Sequence, residues 1–235
     1  MKSPAYIIQP KEIDAASQVG GKAAALAALR DTDLAIPAWF VLSTAAFYDS
    51  LSEPERLALA TAGDRASLLS LLADLKPSPP VRAELQQALT TLCPHNEPVA
   101  VRSSALDEDG ADHSFAGQLD SFLGVPPSQV AEKVVEVWRS AFSERILAYR
   151  RERGLALTPQ PPAVLVQRMV QPDSSGVAFS ADPVTGQREV AVVGAIFGLG
   201  TALVSGAVDA DTYRVDKHGR ILARSLAEKQ TAFDG

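Results

Sequence analysis

The chain has 235 residues, of which 46% are hydrophobic and 6% aromatic, and it carries a formal net charge of −6. This length is enough for a substantial buried core in one large domain or two lobes. The acidic balance argues against nucleic acid as a main partner, and the single cysteine, Cys93, excludes an internal disulfide and a cysteine-cluster zinc site.

The first part of the chain predicts mainly helices. An alanine-rich helix is expected just after Gly20-Gly21, and a strand over 36–43 precedes a helix that Ser43 could cap. Ser52 and Glu55 form a capping-box pattern at the start of another helix. Further helical patterns follow at 64–75, 80–92, 127–142 and 143–153. The helix at 127–142 is expected to carry an apolar stripe on one face, formed by Val130, Val134, Val137, Trp138, Ala141 and Phe142.

The pattern changes after residues 155–162, a proline-containing segment that we interpret as a linker or a crossing between lobes. Predicted strands follow at 163–170, 176–181, 188–196, 211–216 and 220–226. The first two are expected to form an antiparallel pair. A helix-rich first part followed by a strand-rich second part predicts an α+β fold, with one lobe at 1–160 and a second at 161–235.

Residues 190–208 carry no charge, and this stretch has about the length of a membrane span. Its glycines and its acidic flanks, Glu189 and Asp209, favour a buried strand followed by a glycine turn. The N-terminus lacks the apolar core of a signal peptide, and cysteine is scarce. We therefore expect a cytoplasmic protein that does not enter a membrane.

Gly20-Gly21-Lys22 lies at a predicted helix start, where unpaired amides and the helix dipole suit a phosphate group. Glycines let the backbone approach a ligand, and Lys22 adds a mobile cation. A glycine turn followed by a solvated lysine would explain the same residues.

Arg102 follows the predicted strand 98–101, and an arginine there can bind two phosphate oxygens. Ser103 and Ser104 could hydrogen-bond the same group. The alternative is a structural ion pair between Arg102 and an acid in 107–109.

Two further segments are compatible with a nucleotide. The small residues in 115–118 would let a flat or phosphorylated ligand sit close to the backbone. The strand at 163–170 begins with an apolar run and continues with Gln167, Arg168 and Met169. A strand that leaves the core in this way could line a nucleotide cleft. It could equally be an ordinary core strand.

Five segments occur in one order along the chain: VGGKAAALAAL, IPAWFVLSTAAF, AVRSSALDEDGADHSFAGQLDSFLGV, VQRMVQPDSSGVAFSADPVTG and GLGTALVSGAVDADTYRVDK. Together they resemble the N-terminal nucleotide-binding domain of the phosphoenolpyruvate synthase, pyruvate phosphate dikinase and rifampicin phosphotransferase family, over nearly all of residues 14–217. The resemblance implies an ATP-grasp fold, in which two α+β lobes clamp ATP. It also implies Mg²⁺-dependent phosphoryl transfer to a histidine of a separate swivelling domain.

The family pattern implies an ATP-binding role for six residues. They are Lys22 and Arg102 at the phosphates, where they are also the catalytic candidates, Gly117 and Ser121 along the triphosphate, and Gln167 and Met169 at the adenine end. The resemblance assigns no metal ligand within this chain.

The chain departs from the family pattern in two respects. Thr201 follows Gly-Leu-Gly where the family usually has glutamate, and no Gln-Asp-Ile-Glu-Trp-like motif, the family's source of Mg²⁺ ligands, is found. None of His95, His113 and His218 lies in a phosphohistidine motif.

These departures lead us to expect a C-terminally incomplete ATP-grasp-like domain of a phosphotransferase that is inactive alone. The phosphohistidine and acceptor-binding domains would lie outside this chain, and pyruvate, rifampicin and glucans, which bind to such domains, are all candidate phosphate acceptors. The alternative is a non-catalytic nucleotide-binding or regulatory module of the same fold. An unpaired sheet edge would also permit a homodimer.

Overall fold

The computed structural model describes residues 5–14, 19–61, 64–105, 109–110, 113–114, 119–152 and 160–228. The chain divides into two compact units, Met1–Met169 and Val170–Gly235. Each unit contains an antiparallel sheet and at least one helix, which confirms the predicted α+β class.

Seven α-helices lie in the described part of the first unit. They are α1 (Gly21–Ala28), α2 (Thr44–Asp49), α3 (Glu53–Thr61), α4 (Arg65–Leu72), α5 (Pro79–Leu92), α6 (Val130–Ser140) and α7 (Glu144–Glu152). Short 3₁₀ turns occupy Pro10–Glu12 and Pro127–Gln129.

Of the two helix starts with a predicted capping residue, one has the predicted hydrogen bonds and the other has only the predicted position of the cap. Before α3, the Ser52 N–H donates to the Glu55 carboxylate (2.7 Å) and the Glu55 N–H donates to the Ser52 hydroxyl (3.4 Å), which confirms the capping box. Ser43 is the N-cap residue of α2, but its hydroxyl makes no capping hydrogen bond.

The strands of the first unit are β1 (Ile7–Ile8), β2 (Trp39–Leu42), β3 (Val99–Ser104), β4 (Asp109–Gly110), β5 (His113–Ser114), β6 (Ser121–Val125) and β7 (Ala163–Arg168). Five of them form an antiparallel sheet in the order β1-β2-β7-β3-β6. The two-residue strands β4 and β5 pair with each other.

Strand β7 is the central strand of this sheet, although the sequence division at residues 160 and 161 assigned it to the second lobe. It pairs with β2 on one side and β3 on the other, so the first unit extends to Met169. The expected pairing of 163–170 with 176–181 is wrong, because the latter segment pairs within the sheet of the second unit.

The two faces of the first sheet carry separate cores. The larger core lies on the side of α2, α5 and α6, and it includes the apolar stripe predicted for the 127–142 helix. All six residues of that stripe are buried: Val130, Val134, Val137, Trp138, Ala141 and Phe142. The opposite face packs against α1, through Ala23, Ala27, Trp39, Val41, Ala163 and Leu165, with Ile13 and Val19 beside them.

The second unit contains β8 (Ser174–Phe179), β9 (Val190–Phe197), a short helix α8 (Thr201–Ser205), β10 (Asp211–Asp216) and β11 (Ile221–Ser225). Its antiparallel sheet has the order β11-β10-β9-β8. The charge-free stretch 190–208 is thus a strand followed by a short helix, and the described residues contain no helix with the length and hydrophobicity to cross a membrane.

The loop between β8 and β9 is organised by the buried side chain of Asp182. Its carboxylate accepts hydrogen bonds from the N–H groups of Val184 (2.8 Å) and Thr185 (3.3 Å), and it forms an ion pair with Arg214 of β10 (2.6 Å). The Val184 N–H, followed by these other partners, lowers the Asp182 pKa below its usual value, since all of them favour the charged form.

Candidate functional site

The start of helix α1 is attached to the end of strand β3. The Gly21 N–H donates to the carbonyl oxygen of Ala105 (3.1 Å), and the Ala23 N–H donates to the hydroxyl of Ser104 (3.1 Å). Lys22 lies between these two anchored residues. The first turn of the helix is thereby fixed beside the strand that carries Arg102.

Gly20 makes this close approach possible. Its backbone has φ +77°, and a Cβ atom here would overlap the carbonyl oxygen of Ser104 and lie 2.8 Å from the Ser104 hydroxyl oxygen. Only glycine meets both requirements. The sequence indicated that this glycine allows a close approach to a ligand, whereas the approach in the structure is to the protein's own strand.

Strand register places three of the predicted site residues on one side of the sheet. Arg102 of β3 is directly opposite Ser121 of β6, and Gln167 of β7 is opposite Ala100 of β3. Opposite residues, and residues two apart on one strand, share a face. Arg102, Ser121 and Gln167 therefore lie on the same face as α1, which we call the α1 face of the first sheet.

Gln167 and Met169 occupy the end of this face where β7 leaves the sheet. The Gln167 side-chain amide donates to the carbonyl oxygen of Pro37 (3.2 Å). The Met169 N–H donates to the carbonyl oxygen of Pro98 (2.9 Å), which extends the pairing of β7 and β3 by one residue. Alternation along this extended segment puts Met169 on the same side as Gln167.

Arg102 lies within β3 rather than beyond its end, because the strand runs to Ser104. Its side chain is half-buried, and the guanidinium makes no hydrogen bond or ion pair with any residue in the described part of the chain. Arg168, on the neighbouring strand, pairs instead with Glu97 (3.7 Å). The side chains of 107–109, the predicted alternative partners of Arg102, lie outside the described residues.

Ser103 and Ser104 do not have the phosphate-facing positions that the sequence suggested. Both are 0% exposed. The Ser104 hydroxyl is occupied by the Ala23 N–H. Ser103 points to the opposite face, where it is across from Val164 of the larger core, and its hydroxyl has no hydrogen-bond partner among the described residues.

Five of the six predicted site residues thus fall in the first unit: Lys22, Arg102, Ser121, Gln167 and Met169. The sixth, Gly117, lies outside the described residues, as does the whole of 115–118. Sequence analysis missed the part played by Ser104. No local signal reveals it, because its partner Ala23 is 81 positions away in the chain.

The described residues contain no group of three or more His, Cys, Asp or Glu side chains arranged to hold a metal ion. The α1 face instead carries the guanidinium of Arg102, the hydroxyl of Ser121 and the amide of Gln167, and Lys22 lies in the first turn of the helix that packs on this face. Cationic, hydroxyl and amide groups of this kind can bind an anionic ligand through charge and hydrogen bonds.

Comparison with known families gives one match that covers most of the chain. A sequence model of the family described as "Pyruvate phosphate dikinase, AMP/ATP-binding domain" matches residues 16–234. This range includes all six predicted site residues.

Individual relatives come from bacteria and archaea. A rifampicin phosphotransferase of Streptomyces sp is 41% identical over 97% of this chain. A probable phosphoenolpyruvate synthase of Methanothermobacter thermautotrophicus is 35% identical over 91% of it, and the rifampicin phosphotransferase of Bacillus subtilis is 42% identical over 58%. The matched regions are 28%, 34% and 16% of those proteins, so the chain spans only about a third of their length or less.

Proposed function

Because this chain belongs to the family of pyruvate phosphate dikinase AMP/ATP-binding domains, we propose that it binds ATP on the α1 face of the first sheet. The observation that carries the proposal is the position of Arg102. This arginine is half-buried without an ion-pair partner among the described residues, and it lies opposite Ser121 and beside the anchored start of α1.

The phosphates would be bound at the Lys22 and Arg102 end of this face. The arginine fork can donate two parallel hydrogen bonds to phosphate oxygens, and the lysine adds a mobile charge. The Ser121 side chain is exposed on the same face, so its hydroxyl can donate to a third oxygen. We propose that Gly117 also lies along the triphosphate.

The base would be bound at the Gln167 and Met169 end. Because the Gln167 amide nitrogen donates to the Pro37 carbonyl, its Oε1 remains as a hydrogen-bond acceptor. The N6 amino group of adenine is a donor, whereas guanine carries an acceptor oxygen at the equivalent position. This favours ATP over GTP. Met169 offers an apolar, polarizable surface for the ring.

We further propose that the domain serves phosphoryl transfer in a longer protein. ATP would be its phosphoryl donor, and the acceptor histidine and final substrate would belong to other domains. Such transfer depends mainly on positioning and charge neutralisation, which cations supply. Mg²⁺ would contribute further neutralisation when bound with the phosphates, and we assign it no ligand in this chain.

Calorimetric titration of the purified chain tests the proposal, with ATP, GTP, tripolyphosphate and adenosine, each with and without Mg²⁺. We expect ATP to bind more tightly than GTP. Arg102→Ala should weaken ATP and tripolyphosphate alike and leave adenosine unchanged, because only the phosphate end is altered.

Arg168→Ala is the matched control. It removes an arginine from the adjacent strand, on the opposite face, where the side chain pairs with Glu97. Equal loss of ATP affinity in both variants, or no ATP binding by the wild-type chain, would refute a site on the α1 face.

A further inference from the structure

We propose that Ser104 is a positioning residue for this site: its hydroxyl holds the first turn of α1, and hence Lys22, in register with Arg102. This inference rests on the proposed ATP site, but it concerns a residue that touches no phosphate. Its evidence is the hydrogen bond from the Ala23 N–H and the complete burial of both partners.

Two hydrogen bonds described above attach α1 to β3, and one of them depends on the identity of a side chain. The bond from the Gly21 N–H goes to a backbone carbonyl, at Ala105, which any residue would supply. The bond from the Ala23 N–H goes to the Ser104 hydroxyl oxygen. Alanine at position 104 would leave the Ala23 N–H without an acceptor.

Bulk solvent does not reach this hydrogen bond, because Ala23 and Ser104 are both 0% exposed. An unpaired buried N–H is unfavourable, so the helix start would move to find a new partner. The helix has only eight residues, and such a short helix depends on tertiary contacts rather than on its own stability. A shift of its first turn is therefore the expected response.

Lys22 would follow that shift directly, because it is bonded to Ala23. Arg102 would not, since it lies two residues back along β3 and is held by pairing on both sides, with Ser121 and Leu165. Loss of the Ser104 hydroxyl would thus separate the two cations that the proposed triphosphate site needs together. The predicted effect is on ATP affinity through Lys22, with Arg102 unchanged.

Ser103 provides a matched control in the same strand. It has the same residue type and the same complete burial, but it faces the larger core and its hydroxyl has no partner among the described residues. Ser103→Ala therefore removes an identical group without altering the attachment of α1.

The experiment is a double-mutant cycle on the full 235-residue chain, with ATP affinity measured by calorimetry and folding checked by thermal unfolding. It compares Ser104→Ala, Lys22→Ala and the double variant. We expect Ser104→Ala to raise the Kd for ATP about tenfold, which corresponds to one buried hydrogen bond. Ser103→Ala should change it by less than about twofold.

In the Lys22→Ala background, Ser104→Ala should have little further effect, because the group it positions is already gone. The full tenfold loss in that background would show a general structural effect and overturn the inference, as would unchanged affinity in Ser104→Ala alone. If Ser104→Ala does not fold, Ser104→Cys keeps the packing with a weaker acceptor and enters the same cycle. A wild-type chain that fails to bind ATP would refute the proposed function itself, whereas the other outcomes test Ser104 alone.

Discussion

At the scale of single residues, the candidate site depends on Arg102 and Gly20, each of which requires a particular environment. Arg102 keeps a charged group half-buried with no described partner, which is costly unless something anionic completes it. Gly20 lets a helix start contact a strand more closely than any side chain would allow. For each of them, the effect of a substitution can be compared with the effect of the same substitution at a similar residue elsewhere in the first unit.

Arg102→Lys should weaken ATP binding roughly tenfold, because a two-pronged guanidinium is replaced by a point charge. Net charge is unchanged, so a simple attraction between the chain and ATP would not predict the loss. Titration calorimetry measures the effect, and Arg168→Lys, on the adjacent strand, should leave affinity as it was. Wild-type affinity in the Arg102→Lys variant would remove Arg102 from its proposed role.

Gly20→Ala should lower the thermal unfolding temperature more than Gly124→Ala does. Both glycines have positive φ, +77° and +66°, so both substitutions add backbone strain. At Gly124 nothing lies within 4 Å of the added Cβ, whereas at Gly20 it would overlap Ser104. Equal losses in the two variants would mean that strain alone, and not contact with β3, makes Gly20 necessary.

At the scale of elements, the placement of one strand decides the site. Strand β7 brings Gln167 into the sheet next to β3, and the register of this pairing puts it on the same face as Arg102.

In the second unit, the β8–β9 loop is held by Asp182, whose carboxylate accepts hydrogen bonds from two loop N–H groups and pairs with Arg214 of β10. That loop should consequently respond to pH.

Asp182→Asn should destabilise the chain at neutral pH, since an amide keeps the shape but loses the charge that Arg214 pairs with. The folded-state pKa of Asp182 is lowered. Its stabilisation is thus complete above the unfolded value of about 3.9 and is lost as pH falls through the folded value.

The difference in unfolding temperature between wild type and Asp182→Asn should accordingly shrink as the pH is lowered below about 4. Asp173→Asn is the control, because Asp173 is exposed and its side chain has no hydrogen bond to a described residue. A constant difference across this pH range would contradict a role for the Asp182 charge.

At the scale of the whole molecule, the two units differ greatly in their cores. Among the described residues, the buried apolar side chains lie almost all in the first unit, and only Ile196 and Ala202 lie in the second. Burial of apolar surface is the main stabilising contribution to folding. The first unit is therefore expected to fold independently.

A fragment of residues 1–169 should fold cooperatively, while a fragment of residues 1–160 should not. The shorter fragment lacks β7, the central strand, and leaves β2 and β3 without the neighbour that joins them. Circular dichroism during thermal unfolding distinguishes the two. A cooperative transition in the shorter fragment would place the boundary at 160 and 161, as the sequence division had it.

Much of this protein follows from local sequence. Periodic apolar residues and capping patterns predict most helices of the first unit, including the buried stripe of α6, because such signals act within a few turns. Five ordered motifs predict the family, which the match over residues 16–234 confirms. The cationic residues Lys22 and Arg102 are also visible in the sequence, since two glycines precede the first and an apolar strand segment precedes the second.

Only the tertiary structure decided which of these parts meet. The sequence assigned β7 to the wrong strand neighbours, because hydrogen bonds to β2 and β3 join segments that are far apart in the chain. It also left open whether the serines beside Arg102 face a ligand. The fold settles that point: one face of β3 is covered by α1 and the other by the larger core, so Ser104 binds the helix and Ser103 is buried behind it. Alternation of side chains along a strand is local, but which face receives a helix depends on packing between distant segments.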